Sequence, residues 1–169
     1  MTEPGKKRVL IVDDESHIRL LLKMLLKGLP CEVVGEGVNG AEAVSLYKSL
    51  KPDLMLLDVN MPFKTGTDAL GDVMKECPEA RVVMLTSVAD METVKRCVTL
   101  GAKGYIRKDT PPEQIKHGIE MFALCGKFQT GADSPRKREA RDAVFNQRFE
   151  KQAKDYLVRI RREAMIEYK

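Results

Sequence analysis

Three aspartates stand where apolar runs end: Asp13 and Asp14 directly after residues 9–12, and Asp58 directly after residues 54–57. If those runs are neighbouring parallel strands, the three carboxylates meet at the carboxyl edge of an open α/β sheet, where such sheets bind ligands. Crowded carboxylates repel one another, and a hard divalent cation resolves the repulsion. Mg²⁺ suits the set, because it takes one or two carboxylates, keeps several waters and completes its octahedron with phosphate oxygens. Two further run ends aim at the same edge, where Thr86 brings a hydroxyl and Lys108 an ammonium. Each residue alone has an ordinary explanation, since acids and threonines at such places cap free backbone N–H groups and surface lysines are solvated. Together they describe a pocket for a metal-bound phosphoryl group, with Lys108 as a point charge on phosphate and Asp58 as a carboxylate nucleophile.

Something must carry these side chains to one edge. Short apolar runs rich in β-branched residues alternate five times with longer stretches of helical period, the pattern of βαβ units around a parallel sheet. Strands are expected at 8–12, 32–36, 54–57, 81–85 and 104–106, and helices at 17–27, 41–50, 67–76, 91–100 and 112–124. Runs three and four read Leu-Met-Leu-Leu and Val-Val-Met-Leu without polar alternation, as strands covered on both faces do. In the first helix Ile18, Leu21, Leu22, Leu25 and Leu29 recur at helical spacing, and Pro30 stops it. Right-handed crossovers would place helices on both faces and complete a three-layer sandwich by residue 125. A chain of 169 residues holds one such core.

Several classes are excluded at the same level. Cys31, Cys77, Cys97 and Cys125 form no C-x-x-C pair, so neither a disulfide framework nor a zinc site is suggested, and a cytoplasmic setting is expected. Lys23 and Lys27 interrupt the longest apolar stretch, which argues against membrane insertion. Residues 9–12 are too short for a signal-peptide core.

Over residues 7 to about 125 the sequence resembles the receiver domain of two-component response regulators, including the chemotaxis type. The resemblance rests on Asp13-Asp14, on Asp58-Val-Asn-Met-Pro followed by Gly66, on Thr86-Ser87, and on Gly101-Ala-Lys-Gly-Tyr105-Ile-Arg-Lys108. It implies a flavodoxin-like (βα)5 fold with strand order 2-1-3-4-5. It also implies that Asp58 accepts a phosphoryl group from a sensor histidine kinase, with Mg²⁺ held by Asp13, Asp14, Asp58 and the backbone carbonyl of Asn60. Lys108 would pair with the phosphate, Thr86 would move to bond it, and Tyr105 would then turn inward. Such a protein is a phosphoacceptor switch rather than an enzyme, taking phosphate from small donors and losing it slowly. Its output face would be the fourth helix, fifth strand and fifth helix.

Rival readings are weaker. Gly35-Glu-Gly37-Val-Asn-Gly40 matches the dinucleotide fingerprint, but it follows the second strand and leaves Asp13, Asp14, Thr86 and Lys108 without a role. It is read instead as a turn and helix start, with glycine supplying backbone angles awkward for other residues. A haloacid-dehalogenase-type phosphatase needs a second carboxylate two residues after its nucleophile, where this chain has Asn60. Two residues after Thr86 stands the apolar Val88, which cannot orient a water, so the phosphoryl group is not expected to be unusually short-lived. His17 and His117 are read as surface or interface residues.

The chain departs from the family after its core. Asp109 follows Lys108 where receivers usually have proline, and Gly-Tyr-Ile-Arg-Lys-Asp resembles the subfamily with a helix-turn-helix output. No second helix joined by a tight turn is legible after Cys125. A linker at 126–137 and a basic amphipathic helix at 138–169 are expected instead, with Phe145, Phe149, Ala153, Tyr156, Ile160 and Ala164 at three- and four-residue steps. Residues 1–126 carry 17 Lys and Arg against 18 Asp and Glu, a net −1, whereas 127–169 carry 12 against 7, a net +5. The apolar stripe favours docking on a protein target or a second copy. Nucleic-acid binding and a solvated extension are the alternatives.

Overall fold

The computed structural model describes residues 5–87 and 91–124. The elements run β1 (Lys7–Val12), α1 (Ser16–Leu26), β2 (Cys31–Gly37), α2 (Gly40–Leu50), β3 (Leu54–Asp58), α3 (Gly66–Glu76), β4 (Val82–Thr86), α4 (Met91–Thr99), β5 (Gly104–Arg107) and α5 (Pro112–Leu124). All strand pairings are parallel, in the order β2-β1-β3-β4-β5. This is the flavodoxin-like order that the resemblance implies.

The period of two along each strand divides the core. Val9 and Ile11 of β1, with Leu54 and Leu56 of β3, pack among Leu22 and Leu26 of α1 and Ile115 and Ile119 of α5. Their neighbours Leu10, Val12, Met55 and Leu57 face the other way, onto Ala43 and Tyr47 of α2, Leu70 and Val73 of α3, and Cys97 of α4. Every residue of β3 and β4 is buried, which is why neither shows polar alternation. In a parallel sheet all strands end on the same edge, so the polar residues that close these runs collect there.

α1 ends at Leu26, before Leu29 and Pro30, and the Pro30 carbonyl accepts the Lys7 N–H at 2.9 Å to begin the β1–β2 ladder. At the start of α2 the Asn39 side chain accepts the Glu42 N–H at 2.9 Å, and Glu42 Oε2 accepts the Val38 N–H at 2.9 Å. The pair resembles a capping box built with asparagine, except that Glu42 reaches the N–H of the residue before the cap.

One expectation needs correcting. Gly40 has no left-handed backbone; the glycines with positive φ among the described residues are Gly5 and Gly101. Gly40 is needed for close approach, because a Cβ there would lie 2.5 Å from the Lys64 carbonyl oxygen and 2.9 Å from that of Thr65. Its N–H already donates to Lys64 O at 3.1 Å, so this amide serves the fold and not a bound phosphate. The glycine-rich run serves packing, Gly35 and Gly37 against side chains of β1 and α2 and Gly40 against the loop after β3.

Cys31 and Cys97 are buried, Cys77 is partly buried, and none is disulfide-bonded. The side chains of His17 and His117 are 72% and 82% exposed, as surface residues should be. Among the described residues no helix is long and apolar enough to cross a membrane. The expectations for Val88, Cys125, the linker at 126–137 and the helix at 138–169 lie outside the described residues.

Candidate functional site

β1 and β3 lie side by side in register, Val12 opposite Leu57, so the residues that follow them are brought together. One carboxylate oxygen from each of Asp13, Asp14 and Asp58 lies within 4.8 Å of the other two. Asp13 and Asp58 are buried, and Asp14 opens the cluster to water. From the turn after β5 comes Lys108, its side chain 7% exposed, with Nζ 2.8 Å from Asp13 Oδ2 and 3.2 Å from Asp58 Oδ2. The backbone holds these places firmly: Lys108 N–H donates to Thr86 O at 2.9 Å, and Val59 N–H to Leu85 O at 2.9 Å.

Two residues that the sequence did not single out complete the arrangement. Glu15 Oε1 lies 3.0 Å from Lys108 Nζ, and the Glu15 N–H donates to Asp13 Oδ1 at 2.9 Å. Arg19 of α1 donates to the carbonyl oxygens of Asp13 at 2.7 Å and Asp14 at 3.3 Å. Glu36 of β2 holds that guanidinium at 3.3 Å and Lys23 at 2.8 Å. The acidic turn is thus fastened from behind by a cation, while its carboxylates face the cleft.

Burial sets the electrostatics. It pushes the Asp58 carboxyl up to about 6; Lys108 works against this and the Asp13 charge adds to it, with a backbone hydrogen bond from Asn60 favouring the ionised form. Burial disfavours the Lys108 ammonium, but Asp13, Asp58 and Glu15 outweigh that and hold its pKa above the ordinary value. A hydrogen bond from Lys108 and its charge hold the Glu15 carboxyl below the ordinary value. Asp13 Oδ2 accepts no well-directed hydrogen bond, so its 2.8 Å contact with Lys108 is ionic and leaves acceptor capacity open. A buried oxygen with open lone pairs, facing two further carboxylates, is a donor set that fits a hard cation such as Mg²⁺.

Thr86, 2% exposed, is the last residue of β4. It lies two residues beyond Met84, which is in register with Tyr105 and packs in the same cluster, so both residues belong to the sheet face covered by α4. Tyr105 is half-buried, and burial pushes its phenol pKa up. Asn60 is exposed just past the end of β3. Asp13, Asp14, Asp58, Asn60, Thr86 and Lys108 therefore lie at one edge of the sheet, whereas Tyr105 lies within β5, level with Met84.

Residues 9–120 match the family model described as response regulator receiver domain. The chain belongs to the response regulator receiver family. The receiver is 39% identical to the chemotaxis protein CheY of Thermotoga maritima over 117 residues, which are 69% of this chain and 98% of that protein. It is 34% identical over 124 residues to the nitrate/nitrite response regulator protein NarL of Escherichia coli, covering 73% of this chain and 57% of NarL. Among solved structures it is similar to the CheX-CheY-BeF3-Mg complex of Borrelia burgdorferi, with a TM-score of 0.64 and 29% identity over 67% of this chain and 86% of that one. Receivers are phosphoacceptor switches rather than classical enzymes, and response regulators work with histidine kinases and downstream targets.

Proposed function

We propose that this receiver accepts a phosphoryl group on Asp58 from a sensor histidine kinase and signals through protein contact. The observation that carries the reading is a buried carboxylate, pushed up to about 6 yet ionised at neutral pH, set 3.2 Å from a buried ammonium inside a three-carboxylate cluster. Asp13, Asp14, Asp58 and the Asn60 carbonyl would hold Mg²⁺, which when bound offsets the carboxylate charge and polarises phosphoryl oxygens. An Asp58 carboxylate oxygen forms the new bond to phosphorus as the bond from phosphorus to the donor breaks. That donor atom, an imidazole nitrogen or an acyl oxygen, leaves with the bonding electrons. Lys108 balances charge on the transferred oxygens. Asn60 at the second position after the nucleophile supplies no acid or base for fast turnover, so the phosphorylated form persists.

Phosphorylation replaces one carboxylate by a dianionic group with new acceptor oxygens. Thr86 would bond one of them, and Tyr105 on the same face would follow Thr86 inward, altering the surface of α4, β5 and α5. Moving such an equilibrium from 1:99 to 99:1 takes roughly 5.5 kcal/mol, which a partner preferring the active form would share. That partner is a protein target or a second copy, engaged by this face and by the apolar stripe at 138–169. The division into a receiver at 1–125, a linker at 126–137 and a basic helix at 138–169, in a cytoplasmic protein, belongs to the same proposal. The net +5 of residues 127–169, beside the likeness to NarL, favours a second reading in which the basic segment binds DNA.

The full chain incubated with acetyl phosphate and Mg²⁺ is expected to take up one phosphoryl group, with uptake lost on chelation and in Asp58→Asn. Equal uptake by Asp58→Asn would overturn the proposal. For the second reading, duplex binding that weakens steeply with salt and disappears on deletion of 136–169 would be required.

A further inference from the structure

We propose that Glu15 is a latch on Lys108, a positioning residue that restrains the ammonium until a phosphoryl group displaces it. The inference rests on the reading of Asp58 as phosphoacceptor and goes beyond it, to what sets the rate. An ammonium has three N–H donors and no more. Three carboxylates surround Lys108 Nζ, at 2.8 Å for Asp13, 3.0 Å for Glu15 and 3.2 Å for Asp58. Glu15 Oε1 accepts a hydrogen bond from Nζ, whereas the nearer Asp13 Oδ2 is held by charge alone, so the ammonium is aimed at Glu15 and must turn from it to reach a phosphoryl oxygen. The side chains of Asp13 and Asp58 are 0% and 3% exposed, and Asp58 is the reacting group itself. Glu15, with a side chain 42% exposed, covers the ammonium from the solvent side and swings into water at small cost. It is the partner that gives way.

Local helix structure does not explain where Glu15 points. It occupies the N-cap of α1, yet its side chain makes no capping hydrogen bond. The carboxylate instead reaches a residue 93 positions later. A second effect acts in the same direction, since the Glu15 charge stands at the mouth of the site and repels an anionic donor. Release of a half-exposed ion pair and relief of that repulsion together amount to roughly a threefold to tenfold change in rate.

The test is the rate of phosphoryl uptake from acetyl phosphate in Mg²⁺, with the wild-type chain, Glu15→Ala and Glu15→Asp. Aspartate keeps the charge but is shorter by one C–C bond, about 1.5 Å, and does not reach Lys108. Both variants are expected to label faster than wild type, alanine by roughly threefold to tenfold and aspartate by a smaller factor. The advantage should shrink as ionic strength rises, because a half-exposed pair is screened, whereas a merely structural effect would not follow salt. A rate for Glu15→Ala at or below wild type overturns the latch. So does a fast alanine variant beside an aspartate variant that matches wild type, which would leave only the charge at work. If alanine lowers the unfolding midpoint, the aspartate arm decides. A wild type that takes up no phosphate removes the Asp58 reading and the latch with it, whereas normal wild-type uptake with unchanged variants removes the latch alone.

Discussion

In metal-free buffer near pH 8, Asp58→Asn is expected to exceed the wild type in unfolding free energy by about 1–3 kcal/mol. Asp58 is 2% exposed, and burial raises its carboxyl from 3.8 to about 6, more than Lys108 offsets. A carboxyl raised on folding binds its proton more tightly in the native state, so stability falls as pH rises from about 4 to about 6 and stays low above. Roughly two pH units at 1.36 kcal/mol each set the upper end of the range. Asparagine removes the buried charge and leaves Lys108 with Asp13 at 2.8 Å and Glu15 at 3.0 Å. The difference between variant and wild type should therefore vanish near pH 4, where Asp58 is protonated. It should also narrow in Mg²⁺, since a ligand bound only by the native state at about 100 times its Kd adds about 2.7 kcal/mol. Urea unfolding followed by circular dichroism at the two pH values, with and without Mg²⁺, reads all of this. An asparagine variant less stable than wild type near pH 8 without metal would show that Asp58 carries no burial penalty.

Gly66→Ala should do the opposite, lowering stability by about 2–4 kcal/mol and slowing phosphoryl uptake by at least roughly tenfold. Gly66 is the first residue of α3, and its N–H donates to Val59 O at 2.9 Å. A Cβ there would fall inside contact distance of the Asp58 carbonyl oxygen, 2.8 Å from Asp58 C and 3.1 Å from Val59 Cα. These are backbone atoms at the end of a buried strand, held by the Val59 N–H to Leu85 O bond, and no side chain can move aside to relieve the clash. Either α3 lifts away or β3 bends, and in both cases Asp58 moves. Gly71 in the same helix is the control, because a Cβ there meets only Leu100 Cδ2 at 3.8 Å. Gly71→Ala should be neutral or gain up to about 1 kcal/mol from helix propensity, with uptake unchanged. Equal effects at the two positions would mean that the contact with the Asp58 backbone is not what Gly66 provides.

The difference between these glycines shows where sequence reading stops. Asp13, Asp58 and Thr86 could be recognised because strands buried on both faces are continuous apolar runs, and the first polar residue marks the end of each. One-dimensional pattern then coincides with three-dimensional position. Gly66 and Gly40 have no such marker, since each is needed only because another segment passes close by, the end of β3 in one case and residues 64 and 65 in the other. Sequence pointed at Gly40 for its backbone angle, and the structure assigns it to packing. Glu15 was hidden for a related reason: locally it is one more acid at a helix start, and its partner arrives from β5 through the tertiary fold. Arg19 interrupts the apolar stripe of α1 and so drew no notice. Its role follows from the turn it faces, where it holds the carbonyls of Asp13 and Asp14.

Mapping the modified residue tests the central claim most directly. The full chain is incubated with acetyl phosphate and Mg²⁺, reduced with borohydride to convert an acyl phosphate into a stable alcohol, digested and analysed by mass spectrometry. The predicted result is a single converted aspartate, Asp58, with Asp13 and Asp14 unchanged. Conversion at Asp13 or Asp14, or none at all after the chain has met donor and metal, would contradict it.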